Sequence, residues 1–190
     1  MVWRFKLGEM RVQRASLFAF VVLTSASSGC GLLLGNIKPA DEKSEGYGIM
    51  DLAQRNPDWK KLPSSKEATN DAAASDVAYQ SATTSSVISL NSACRPTIAT
   101  EERDLKAYTD QLFLGIREVT HREEKSSVVQ GVPALETTLT GKVDGEMTEI
   151  RSVVVRRGEC VYDLMYVARP EHFPANEADF AQFVASLKLR

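Results

Sequence analysis

The chain of 190 residues has the length of one domain or at most two small ones. Its 23 basic and 25 acidic side chains exclude the strongly positive field typical of nucleic-acid-binding proteins, and three Cys with two His are too few for a conventional multi-ligand zinc module. A hydrophobic content of 43% is sufficient for a packed core, so the chain as a whole is not of the disordered class.

The N-terminal region has the pattern of an export signal. Arg11 and Arg14 precede an apolar run over residues 15–26. Twelve residues are too few to cross a membrane, which takes about 20, and they fit the hydrophobic region of a secretory signal peptide behind a positive segment. A start at Met10 instead of Met1 gives a compact signal of the same kind, and both starts stay open.

Small residues and a cysteine follow the apolar run, in the order Ser27, Ser28, Gly29 and Cys30. This run resembles the lipobox of bacterial lipoproteins, although Ser27 stands where Leu is commonest. The resemblance implies a signal peptide over residues 1–29 and fatty acyl groups, palmitate among them, on Cys30 of the processed chain. The alternative is an ordinary secretory signal cleaved nearby.

The acyl groups that this resemblance implies would serve as the membrane anchor, since two or more chains hold a protein stably at a bilayer. Gly31 follows the cysteine in place of Asp, which by analogy favours the outer membrane, with the domain facing the periplasm. The processed chain has a net charge of −5, so the acidic body is expected to stay soluble on its tether and not to be attracted to anionic headgroups.

The next segment is predicted to be a flexible tether over residues 30–58, because it is rich in Gly, Pro and charged residues. A single α+β domain is predicted over residues 59–190, with Trp59 packing back onto it. A second polar stretch, residues 61–75, is predicted to be a loop.

The predicted domain begins with strands over residues 76–82 and 86–93, joined as a hairpin. Pro96 is expected to end the second strand. Residues 100–116 are predicted to form an amphipathic helix, because apolar residues recur there every three or four positions.

The C-terminal half reads as an antiparallel meander and a closing helix. Strands over residues 134–143 and 146–157 flank Asp144 and Gly145, a strong hairpin signal. Residues 160–168 are apolar on both alternating sets, which predicts a central strand covered on both faces. Asn176 is predicted to cap the last helix, and Pro170 and Pro174 to lie in the loop before it. The predicted fold class is α+β: a twisted antiparallel sheet of about five to six strands with two main helices packed on it.

This order of elements resembles the PsbP-like fold superfamily, in which a late hairpin leads to a closing helix with aromatic residues. The matching residues are the strand 160–166, Phe173, Phe180, Phe183 and the pair Ser186-Leu187. Members of the superfamily are mostly small binding or assembly-accessory proteins, several of them lipid-anchored. The resemblance implies such a role for residues 76–190.

The two cysteines other than Cys30 are expected to form a disulfide, Cys94 to Cys160, because an even pair in an exported protein usually does. Both lie at the ends of predicted strands. The alternative is two buried free thiols.

The remaining candidate site is a basic patch on one hairpin, formed by Lys142, Arg151, Arg156 and Arg157, which could receive an acidic partner. The alternative is solubilising charge at a sheet edge.

Catalysis is not expected. The sequence has no GxSxG, HExxH or glycine-rich phosphate motif, and both His121 and His172 fit solvated positions. No metal site and no cofactor are expected. The predicted function is a lipid-anchored, non-enzymatic binding or assembly-accessory module for an envelope protein complex. The alternative is a periplasmic module that binds a small ligand or lipid. In either case we expect a membrane contact through Cys30, and a protein partner in the first.

Overall fold

In a computed structural model, the chain is described for residues 46–63, 75–100 and 104–190. These residues form an α+β fold with one seven-stranded antiparallel sheet and four helices, which confirms the predicted class. The strands are β1 Tyr47–Gly48, β2 Trp59–Lys61, β3 Val77–Ser81, β4 Val87–Cys94, β5 Arg117–Val129, β6 Val132–Val143, β7 Glu146–Arg157, β8 Cys160–Ala168 and β9 Lys188–Leu189. The helices are α1 Leu52–Arg55, α2 Pro96–Thr100, α3 Leu105–Leu112 and α4 Phe173–Ser186.

The strand order in the sheet is β2-β3-β4-β8-β7-β6-β5, and β1 pairs with β9 in a separate two-stranded sheet. Strand β8 is therefore central, as its two apolar faces predict. The seven strands exceed the expected five to six because β2 and β5, which were not predicted as strands, both belong to the sheet. Strand β5 escapes prediction because it is an exposed edge strand with charges on both faces and hence no apolar alternation.

Tight turns connect the antiparallel strands β5, β6 and β7. Asp144 and Gly145 both have positive φ, as a type I′ turn between β6 and β7 requires. Gln130 and Gly131 form the same kind of turn between β5 and β6, with φ of 51° and 76°. The predicted hairpin is thus confirmed, and a second one joins it.

The core lies on both faces of the sheet. On one face, α4 buries Phe180 and Phe183 against Tyr166 and Tyr79, with ring centroids 5.8 Å apart for Tyr166–Phe180 and 6.1 Å for Tyr79–Phe183. On the other face, α2 and α3 cover β6, β7 and β8 through two smaller apolar clusters. The sheet is the middle of three layers.

Residues 46–58 belong to the folded domain, which corrects the prediction of a tether as far as residue 58. Tyr47 and Leu52 are 2% exposed and join the core beneath α4. The apolar residues of this short segment follow no single helix or strand period, so their burial was not predicted from the sequence. Trp59 is 1% exposed as expected, and its Nε1 donates to Asp179 Oδ2 at 2.8 Å.

The last helix begins at Phe173, three residues before the predicted cap. Pro174 lies in its first turn, where a missing N–H costs nothing, instead of in a loop. Asn176 is inside the helix and buried, and its Oδ1 accepts a hydrogen bond from Thr84 at 2.8 Å. The predicted helix over residues 100–116 is also shorter: Pro96 ends β4 by starting α2, and α3 follows separately.

The predicted disulfide is present between Cys94 and Cys160. These residues are direct partners in the register of β4 and β8, with Cα atoms 4.1 Å apart. The link joins the two strands where the β7–β8 turn ends.

Candidate functional site

Helix α4 leaves part of its face of the sheet uncovered. We call this uncovered part the outer wing and define it as the α4-facing side of β5, β6 and the first half of β7. A cleft of about 260 Å³ lies between the outer wing and the start of α4. Its lining residues are Glu123, Lys125, Glu136, Thr138, Glu149, Arg151, Phe173 and Glu177.

Strand register brings the floor of this cleft together. Glu123 of β5 pairs with Thr138 of β6, and Thr138 pairs with Arg151 of β7. Alternate residues of a strand share a face, so Lys125 and Glu136 form the adjacent row on the same side. These five positions on three strands thus present a continuous polar surface.

Arg151 links the strands of the cleft to α4 through hydrogen bonds. Its Nε donates to Glu136 Oε1 and its Nη1 donates to Glu177 Oε1, both at 2.6 Å. Charge-assisted bonds of this kind are stronger than neutral ones and hold the geometry of both partners. Arg151 therefore ties β6, β7 and α4 together on one side of the cleft, so its charge is already matched by two carboxylates.

The remaining ionisable groups leave the cleft net acidic. Partial burial raises the pKa of Glu149, and the nearby carboxylate of Glu177 raises it further. His121 Nε2 lies 4.0 Å from Glu123 Oε2, and both side chains are more than half exposed. With four carboxylates against Lys125 and Arg151, the surface complements a cationic group of a partner.

The structure does not bring the predicted basic residues into one patch. Lys142 pairs with Glu118 at 2.7 Å near the β6–β7 turn. Its register partner is Met147, whereas Arg156 and Arg157 end the same strand about 33 Å away at about 3.3 Å per residue. Arg151 lies between them and is engaged in the cleft.

Other predicted residues have simple positions. Cys30 and the signal peptide lie outside the described residues, as does most of the predicted loop over residues 61–75; Lys61 itself ends β2. His172 precedes α4 and makes no side-chain capping bond. Within the described ranges, no helix is long and apolar enough to span a bilayer, and no three His, Cys, Asp or Glu side chains converge on a metal position.

The cleft was not predicted from the sequence. The sequence pattern that corresponds to it is a pair of charged residues at alternate positions. Glu123 and Lys125 form such a pair in β5, and Glu149 and Arg151 form one in β7. Recognising it needed the strand order, because charge at alternate positions is also what a solvated edge shows.

Comparison with solved structures supports the fold. LpqN of Mycobacterium tuberculosis, described as involved in cell envelope biogenesis, superposes with a TM-score of 0.59 at 11% identity, over 80% of this chain and 90% of that chain. CyanoP, the cyanobacterial PsbP of a Synechocystis species, gives a TM-score of 0.53 at 10% identity, over 87% of this chain and 99% of that chain. No family model and no curated protein match the chain. At these identities the likeness is one of fold, and the fold is the PsbP-like one that the C-terminal half resembles.

Proposed function

We propose that this chain is a lipid-anchored module of the bacterial cell envelope that binds a protein partner and performs no catalysis. The outer wing carries the proposal: a long antiparallel hairpin extends beyond α4 and presents an open, charged cleft. A cleft lined by charged side chains on a rigid sheet suits a protein partner better than an apolar ligand, which prefers an apolar pocket.

The envelope location is supported by the export signal and by Cys30 in its lipobox-like context. The disulfide is of the kind that persists in oxidising compartments outside the cytosol. LpqN, one of the proteins with the same fold, is described as involved in cell envelope biogenesis. We therefore propose an acylated Cys30 and a periplasmic domain at the outer membrane.

A binding role without chemistry is supported by the environment of the titratable groups in the cleft. Arg151 and its two carboxylates are saturated by one another. The His121–Glu123 pair is solvated, which leaves the imidazole without the buried, oriented partner that a general base requires.

Recovery of the partner tests the proposal. The full chain is expressed in its own host, crosslinked in membranes and purified, and the same is done with the charge-swapped variant Glu123→Lys with Lys125→Glu. The swap keeps the net charge and alters only exposed positions of β5. As a matched control, Lys60→Gln with Gln54→Lys exchanges two exposed residues beside the other sheet edge and likewise keeps the net charge.

We expect one reproducible partner with the native chain and the control, and its loss with the swapped variant. Recovery of the lipoprotein alone, or a partner that is insensitive to the swap, would contradict the proposed wing. Intact-mass analysis of the same samples checks the anchor, because Cys30 must carry acyl groups and the chain must lack residues 1–29.

A further inference from the structure

Gly46, the first residue of the described domain, lies at one end of the sheet, and the residues that connect the domain to Cys30 precede it in the chain. The carbonyl oxygen of Gly46 accepts a hydrogen bond from the backbone N–H of Arg190 at 2.7 Å, and Gly46 lies against the hydroxyl of Tyr162. Tyr162 is two residues from Cys160, the residue that follows the β7–β8 turn. Gly46, β9 and the β7–β8 turn therefore share one end of the domain, which we call the tether pole.

The β5–β6 turn lies at the same end. Ala134 of β6 pairs with Val155 of β7, so the hairpin tip at Gln130 and Gly131 extends past the end of β7 at Arg157. The tether pole is thus made of Gly46, the β5–β6 tip with Val128, the β7–β8 turn from Arg157 to Glu159, and residues 188–190.

The tether pole has a different charge from the body of the domain. Three basic side chains are exposed there, on Arg157, Lys188 and Arg190, against the side-chain carboxylate of Glu159 and the α-carboxylate of Arg190. Val128 on the hairpin tip is 67% exposed, one of the most exposed large apolar side chains in the described residues. A cationic surface with an apolar tip is the combination that favours an anionic membrane interface.

We propose that the tether pole rests on anionic lipid headgroups when the chain is anchored, with Val128 at the interface. This inference rests on the proposed lipid anchor. Residues 30–46 span at most about 55 Å when extended, so an anchored domain never leaves the neighbourhood of the bilayer. Tethering makes the contact intramolecular, so a weak attraction is enough to orient the domain.

The surface favours lipid over an acidic protein because the chain toward the anchor starts within the patch itself. The net-acidic cleft lies toward the other end, where α4 starts at Phe173 and Glu149 pairs with Ala168. A domain resting on its tether pole keeps the cleft away from anionic headgroups. With the α-carboxylate of Arg190 counted, the patch has one net positive charge, and each such charge near an anionic surface favours contact about fivefold at low salt.

The test uses the full acylated chain in vesicles. Val128→Trp places an exposed fluorophore on the hairpin tip, whereas Trp59 is buried in the core. Energy transfer from this tryptophan to a dansyl headgroup probe is measured in phosphatidylcholine vesicles with and without phosphatidylglycerol. The same is done after Arg157→Glu, Lys188→Glu and Arg190→Glu together. The matched control reverses Arg55, Lys60 and Lys61, three exposed cations beside the β2 edge of the sheet.

We expect greater transfer in vesicles with phosphatidylglycerol, its loss at high salt, its loss in the pole variant and its retention in the control. Equal transfer in both kinds of vesicle, or transfer that survives the pole reversal, would overturn the inference. A chain that carries acyl groups and sediments with vesicles but shows no such transfer refutes the pole contact and leaves the anchor intact. A chain that lacks acyl groups refutes the anchor and this inference with it. Crosslinking of the tether pole to an acidic protein in cells, without energy transfer in vesicles, would show that this surface binds a protein and not lipid. That result would also overturn the inference.

Discussion

Removal of the Cys94–Cys160 disulfide is expected to destabilise the fold strongly. The link closes a loop with a sequence separation of 66 residues, which contains α2, α3, β5, β6 and β7. Closing a loop of this length restricts the unfolded chain by about 4 kcal/mol in the chain-entropy model. The free energy of unfolding of a domain is only about 5–15 kcal/mol, so this loss is a large share of the total.

The perturbation is Cys94→Ala with Cys160→Ala, and the assay is urea unfolding followed by circular dichroism at neutral pH. With a urea dependence of about 2 kcal/mol per molar, the midpoint is expected to fall by about 2 M. Native chain treated with reductant is the matched control, since it should lose a similar free energy, whereas reductant should leave the variant unchanged. A loss below about 1 kcal/mol would refute the reasoning, because it would mean that the unfolded chain already keeps this loop closed.

Three other substitutions probe buried polar groups, each by urea unfolding. Trp59→Phe removes the bond to Asp179 and should cost about 1.5–3 kcal/mol; no loss would mean that the indole gains nothing from the carboxylate. Thr137→Val should be neutral or stabilising by up to about 1 kcal/mol, because Oγ1 of Thr137 is buried without a hydrogen-bond partner; a clear loss would contradict this. Burial raises the pKa of Asp163 from 3.8 to about 6, so the folded state binds the proton more tightly. Stability should therefore fall by up to about 3 kcal/mol as pH rises from 4 to above 6, and Asp163→Asn should remove that slope; a slope unchanged in the variant would assign it to another group.

Local patterns in the sequence predicted most strands correctly. The alternation in residues 146–157 and the Asp144-Gly145 pair correspond to β7 and its turn, because side-chain direction and positive φ are properties of neighbouring residues. The Cys94–Cys160 pairing followed from the cysteine count and the inferred compartment.

Segments without hydrophobic periodicity were not predicted correctly. Tyr47 and Leu52 pack into the core although their short segment has no regular period, because each contributes a single side chain to a surface formed by β8 and α4. Strand β5 is exposed and charged, so its only signature is the backbone pairing with β6. Burial by distant elements and pairing at an edge do not show in local composition.

The sequence by itself determined the α+β class, the central strand β8 and its link from Cys160 to Cys94. Only the tertiary structure determined which charged side chains lie next to each other. Six strand positions from Glu123 to Arg151 meet in one cleft, while Lys142 and Arg157 lie at opposite ends of a hairpin. The physical reason is that register and strand order follow from non-local hydrogen bonding and burial, which place residues far apart in the chain side by side.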